Sequence, residues 1–171
     1  MLAERLPSLP LPLAQLGYRA LNAKSAAEQH NLLVFLGEAT LKLTAMVRLS
    51  VWLGLDAGQG ATSHAAEGLL LPSGGHWLDI AQAADVELGA RADVALLPLS
   101  AVLGRLAARQ DCPAVAALTA EAFGRGVVSA DLAAQCGREG VLGFFRLLVS
   151  YRNRTIGHGA QRTPAFYESI A

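Results

Sequence analysis

Near its C-terminal end the chain reads Tyr151-Arg152-Asn153-Arg154-Thr155-Ile156-Gly157-His158-Gly159, which brings two guanidinium groups, an amide and an imidazole into one short stretch. A guanidinium grips phosphate through a planar fork of N–H donors. An imidazole takes up or releases a proton near neutral pH. Set over one phosphodiester, the two groups have what metal-free cleavage of RNA requires, because the adjacent 2′-hydroxyl supplies the nucleophile. A positioned histidine acting as general base or acid contributes roughly 10²–10⁴ in rate. A preorganised cation at the developing charge adds about 3–4 kcal/mol. The stretch follows the apolar run from Val141 to Val149, so these groups stand where a buried helix gives out.

Geometry restricts which of them can meet. On a straight helix Arg152 and His158 point about 120° apart, whereas Arg154 and Tyr151 lie closer to the His158 face. Arg152 and His158 converge if the helix ends near Gly157, or if a second subunit supplies one partner; glycine ends helices readily. Arg154 is the rival cation, with Arg152 then left to cap or to pair with an acid. A purely structural role is the alternative for the whole group. Arginines at a helix C-terminus offset the dipole, Asn153 caps, and His158 bonds a backbone carbonyl.

Two residues outside the stretch are candidates to support it. Glu38 interrupts an otherwise apolar segment, and a carboxylate drawn into a core needs a partner. Arg152 or Arg154 would serve, as would Lys42 one turn along. His76, in Gly74-Gly75-His76-Trp77, is either a second acid or base at the same cleft or, with Trp77, a lock between a long loop and the helices.

The Arg152-Asn153-x4-His158 pattern resembles the Arg-x(4–6)-His signature of the HEPN superfamily, in which the residue after the arginine is commonly polar. The surrounding Tyr-Arg-Asn-Arg-Thr-Ile-Gly-His-Gly-Ala is similar to a segment of helical modules in bacterial signalling and defence proteins. The close part of the resemblance covers about twenty residues. It implies a helical bundle that forms a homodimer, with two copies of the motif at a shared cleft, and in many members a metal-independent endoribonuclease. By that resemblance His158 is the general base or acid, Arg152 stabilises the phosphorane, and Asn153 orients the phosphate or His158. Tyr151, Arg154, Glu38 and His76 then support the site. No metal and no cofactor is called for. A retained site that binds RNA without cutting it, in a toxin or defence system, is the variant of this reading; the other reading is a non-catalytic helical module that dimerises or regulates an attached effector domain.

Composition narrows the field. Of 171 residues 53% are hydrophobic and 16% charged, too apolar for a disordered chain and demanding extensive burial, a subunit interface included. Fourteen Lys and Arg offset fourteen Asp and Glu. A protein gripping duplex DNA by charge would be basic, so any nucleic-acid contact here is local and short, as with a short RNA. Cys112 and Cys136 form no CxxC and read as buried, reduced thiols. The N-terminus lacks the pattern of a signal peptide. The longest apolar stretch, Leu32 to Leu55, is broken by Glu38, Lys42 and Arg48, which a bilayer span tolerates poorly. The expectation is a cytoplasmic protein away from membranes. Gly58-Gln59-Gly60 lacks the ending of a phosphate-binding loop.

The elements that position the motif are helical, since Ala and Leu dominate and alternating β-branched runs are scarce. A first helix is expected over Leu11 to Ala23. Ser25-Ala26-Ala27-Glu28 is a capping box that opens a second helix to about Leu55, roughly 45 Å long. Its apolar residues cover much of the circumference, with Leu32, Leu36, Ala39, Leu43 and Met46 on one side and Phe35, Leu49 and Trp52 on another, which suits a central helix or a dimer contact. Residues 56–75 read as a loop. Helices follow at about 74–85, 96–109 and 113–124, a short one from Ser129 or Asp131 that Gly137 interrupts, the motif helix over 140–156, and a turn opened by Thr163-Pro164. His30 and His64 read as exposed, and Trp52 and Phe35 as core. The fold expected is an all-α antiparallel bundle, HEPN-like, built on the long helix and the motif helix. Residues 1–171 form one helical domain, expected to be the N-terminal module of a longer protein.

Overall fold

The computed structural model describes residues 2–55, 61–70, 72–90, 113–125, 128–136, 140–155 and 162–168. The helix expected at 96–109, Cys112, the interruption at Gly137, and His158 with its flanking Gly157 and Gly159 lie outside the described residues. Within them every regular element is a helix: α1 (Leu2–Arg5), α2 (Leu11–Leu21), α3 (Ala26–Gly54), α4 (Ala61–Glu67), α5 (Gly74–Gly89), α6 (Pro113–Gly124), α7 (Ala130–Cys136), α8 (Gly140–Thr155) and α9 (Pro164–Glu168), with 3-10 turns at Leu6–Ser8 and Gly68–Leu70. The all-α expectation holds among the described residues. They group into two compact units, Met1–Thr40 with Arg152–Ala171, and Leu41–Tyr151.

In the first unit, Pro10 and Pro12 open α2, where a missing N–H costs nothing. Leu13, Ala14, Gly17 and Ala20 form its buried face. Leu6, wholly buried, lies against Gly17 where a side chain would otherwise stand. The helix ends two residues earlier than expected because Asn22 turns its amide back to the Tyr18 carbonyl at 2.7 Å. The long helix α3 starts where the capping box places it. The Glu28 amide donates to Ser25 Oγ at 3.1 Å, and the Glu28 carboxylate accepts from the Lys24 amide at 2.9 Å, one residue outside the usual box. The single-turn helix α9 is opened by Thr163, whose hydroxyl accepts from the Phe166 amide. A helix this short cannot stand alone. It is held by Tyr167, buried against the ring of His30 with centroids 5.2 Å apart. His30 is therefore half-buried rather than exposed, a correction that follows from the aromatic pair on α9.

The core of the second unit is set by Leu41 and Ala45 of α3, Leu78, Ile80 and Ala81 of α5, and Phe145 of α8, with Trp52, Ala84 and Leu88 continuing it. Segment 56–75 corrects the loop expectation, since it contains α4 and a 3-10 turn. Its alanines favour helix, Ala65 and Leu69 pack on the core, and the Thr62 amide at the start of α4 donates to Glu87 at 3.0 Å. The other Glu87 oxygen accepts from Trp52 Nε1. Helix α5 accordingly runs on past Asp85 to Gly89, because Glu87 and Leu88 both have work in this core. Trp52 is buried as expected, but Phe35 is half exposed, so it is not a core residue. It stands off the buried stripe of Val34, Gly37 and Leu41 on α3, about a third of a turn or more away from each of them.

Helix α8 begins at Gly140, which adopts φ 53°, a backbone form that suits glycine. One turn on, Gly143 lets α8 press directly on the end of α7. A Cβ there would lie 2.1 Å from the Cys136 carbonyl oxygen. Cys136 itself is a buried thiol, outside any disulfide, beside Val128 and Leu147. Among the described residues no helix is long and apolar enough to cross a membrane.

Candidate functional site

The motif residues sit in the last turn of α8. This helix keeps its apolar positions facing the core through Leu147 and Val149, then turns polar at Tyr151 to Arg154. Arg152 is half-exposed and points its Nε at Glu38 Oε1 across 3.1 Å. Glu38 retains about a fifth of its side-chain exposure, so the carboxylate is largely withdrawn from water and meets the partner the sequence offered it. Lys42 is not that partner. Arg152 Nη1 also reaches Asn153 Oδ1 at 3.4 Å, a long contact that sets the amide beside the guanidinium. Thus three of the expected residues, Glu38, Arg152 and Asn153, are brought together.

The other expected residues divide. Arg154 is exposed, and Tyr151, which belongs to the second unit, is half-buried. His76 belongs to the second unit and is the third residue of α5. Its ring Nδ1 accepts from the Ser73 amide at 3.3 Å while its own amide donates to Ser73 Oγ at 3.3 Å. This is a capping box with an imidazole in the place of the usual Glu or Gln. The ring also packs on Gly68, where an added Cβ would come within 2.9 Å. His76 thus joins the start of α5 to the 3-10 turn at Gly68–Leu70. His158 lies outside the described residues.

Sequence reasoning missed Arg162. Its Nε donates to the Thr155 carbonyl at 3.1 Å, and its Nη2 donates to the Arg154 carbonyl. These are the open carbonyls that a helix leaves at its C-terminus, and a cation there also meets the negative end of the dipole. The Arg162 amide donates to Tyr167 Oη at 3.3 Å, and its guanidinium lies 5.9 Å from the Phe166 ring centre. One side chain therefore ties the two described residues that flank segment 156–161, the segment containing His158. The only signal for this in the sequence was Arg162 just before the Thr163-Pro164 start of α9.

Beside this clamp is a cavity of about 390 Å³ lined by Ser25, Ala26, Ala27, Asn31, Arg162, Pro164, Tyr167 and Glu168. Its wall includes His30's neighbour Asn31, whose Oδ1 is 3.3 Å from His30 Nδ1. Burial of His30 lowers its pKa below the ordinary 6.5, the Asn31 bond opposing this in part, so the ring favours its neutral form. Among the described residues no group of His, Cys, Asp and Glu is arranged to hold a metal ion. Comparison with family models, with curated proteins and with solved structures finds no match for this chain.

Proposed function

We propose that this chain is a HEPN-like helical domain that binds a short RNA and cleaves it without a metal. The observation that supports the reading is the Glu38–Arg152–Asn153 arrangement at the end of α8. Glu38 engages the lateral Nε and so fixes the direction of the guanidinium, while the side chain as a whole stays 42% exposed. A fixed, accessible arginine is what a scissile phosphate requires. In this reading Arg152 holds the phosphate and stabilises the phosphorane, Asn153 positions it, and His158 moves the 2′-hydroxyl proton. Glu38 acts through Arg152, and Arg154 adds charge for the strand. Cleavage leaves a 2′,3′-cyclic phosphate and a free 5′-hydroxyl, because the attacking oxygen is the RNA's own.

A second reading, a non-catalytic module that pairs with another copy or regulates an attached effector domain, is supported by a different observation. Leu43, Met46 and Leu53 of α3 are 39%, 54% and 62% exposed, an apolar face at helical spacing on a helix whose other side is core.

The test is incubation with a panel of short single-stranded RNAs in EDTA, with His158→Ala and Arg152→Ala beside the wild type. The nuclease reading expects cyclic-phosphate ends and a loss of at least about a hundredfold in rate for either variant. Cleavage that survives both substitutions, or no cleavage of any RNA, sinks it; the latter result leaves the interaction module.

A further inference from the structure

The cavity of the first unit is not used by the motif residues. Its volume of about 390 Å³ falls within the roughly 300–1,000 Å³ of pockets that enclose a small organic molecule. Both walls belong to that one unit, the start of α3 on one side and Arg162 with α9 on the other. Ala26, Ala27, Pro164 and the buried Tyr167 give it apolar surface. Two opposite charges, Arg162 and Glu168, also line it. Among the described residues neither has an ion-pair partner, so they do not pair with each other. The Thr155 and Arg154 carbonyls hold Nε and Nη2 of Arg162. They fix the direction of the guanidinium and leave Nη1, which makes no hydrogen bond among the described residues.

These walls select the ligand. One cation and one anion leave the cavity near neutral, so a phosphate or a metal ion, each far smaller than the cavity, gains little by filling it. A planar ring with acceptors on one edge and donors on another meets both side chains at once. Among the RNA bases guanine fits the pair most fully. Its O6 and N7 are the acceptors that arginine recognises. Its N1–H and N2–H are adjacent donors, a pair that no other RNA base presents, and a carboxylate accepts both together. We propose that this cavity is a guanine-binding site, with Arg162 on the acceptor edge, Glu168 on the donor edge and the ring faces against Ala26, Ala27 and Pro164. Asn31, also on the wall, precedes Glu38 by two turns on one face of α3, about 10 Å along the axis. Glu38 in turn holds Arg152. A base in the cavity and a phosphate at Arg152 are therefore within the span of one nucleotide. Guanine arrives either in an RNA strand or as a free nucleotide; the first source rests on the RNA reading above and the second does not.

The direct measurement is calorimetric titration of the full 171-residue chain with guanosine, inosine, adenosine, cytidine and uridine monophosphates, and with inorganic phosphate. Guanosine monophosphate is expected to bind saturably, at least about tenfold tighter than the adenosine, cytidine and uridine compounds or phosphate. Inosine monophosphate lacks only the N2 amino group and is expected to lie between. Glu168 is exposed, so Glu168→Ala is expected to fold as the wild type does. It should weaken guanosine monophosphate at least about tenfold and erase the gap between guanosine and inosine, which a mere loss of packing would not do. Anisotropy on the His158→Ala chain, with a labelled short RNA bearing one guanine and its adenine-substituted twin, separates the two sources. Tighter binding of the guanine strand, lost on adding Glu168→Ala, identifies a base in a strand. Binding of guanosine monophosphate without a strand preference identifies a free nucleotide. The inference is overturned if neither the monophosphates nor the strands show a guanine preference, or if that preference survives Glu168→Ala. Guanine binding without RNA cleavage in EDTA removes the nuclease reading and keeps this site; cleavage with no guanine preference in any of these measurements does the reverse.

Discussion

Two arginines in this chain are held alike, each by a carboxylate at Nε, and their surroundings make the outcome different. Arg152 is half-exposed, so water satisfies whatever Glu38 and Asn153 leave over. A pair in that position is worth no more than about 1 kcal/mol to stability. Arg48 has no such recourse, being sealed in the core. Histidine presents the same contrast. His64 is exposed and stands 3.7 Å from Glu67, whereas His30 is packed on Phe166 and Tyr167. Burial lowers the His30 pKa below 6.5, so the unfolded chain takes up this proton first as the pH falls. Its neutral form thus favours folding fully above the ordinary value, and that contribution is lost as the pH drops through the lowered one. Urea midpoints of the wild type and of His30→Leu, compared at about pH 7.5 and about pH 5, are expected to diverge, with the wild type losing more on acidification. Equal losses in the two proteins would show that His30 carries no linkage.

At the level of the helices, the close approaches are made by glycine and the ends are made by side chains. Gly143 is the sharpest case. With a Cβ placed 2.1 Å from the Cys136 carbonyl oxygen, and backbone rather than a flexible side chain in the way, α7 and α8 have to separate. Gly143→Ala is expected to cost about 1–3 kcal/mol despite the better helix propensity of alanine; an unchanged urea midpoint would contradict the packing of this pair. The ends of α3, α6 and α7 were readable because their signals are local: Ser25 with Glu28, Pro113 before an apolar run, Ser129 one turn before the Leu132 amide it accepts from. Helix α4 was not, since a run of Gly, Ser and Ala becomes helical only once Glu87, distant in sequence, accepts from its first turn. The Glu38–Arg152 pair was among the pairings that sequence offered, because an acid within an apolar helix has few acceptable partners. The Arg48–Asp85 pair and the Arg162 clamp were not, for both join residues whose contact depends on how separate helices pack, and Arg48 read only as a charge interrupting an apolar stretch.

For the molecule as a whole, charge balance decides what kind of nucleic-acid contact the RNA reading allows. With fourteen basic and fourteen acidic residues there is no general attraction to a polyanion. Several of the cations are also committed internally: Arg48 to Asp85, Arg125 to Glu121, Arg162 to the end of α8. In the RNA reading Arg152, which is also paired with Glu38, and Arg154 are the cations that meet the strand, so a chain that binds single-stranded RNA through them releases few counterions. Each phosphate contact on a single strand contributes about −0.7 to the slope of log K against log salt, so two contacts give about −1.4 per site. Fluorescence anisotropy with a labelled short RNA, using His158→Ala to suppress cleavage and salt stepped from about 50 to about 200 mM, is expected to return that shallow slope. Arg152→Ala should then reduce it by about 0.7. A slope steeper than about −4 would require a basic surface built from many more side chains, and the compact site at the end of α8 would no longer account for binding.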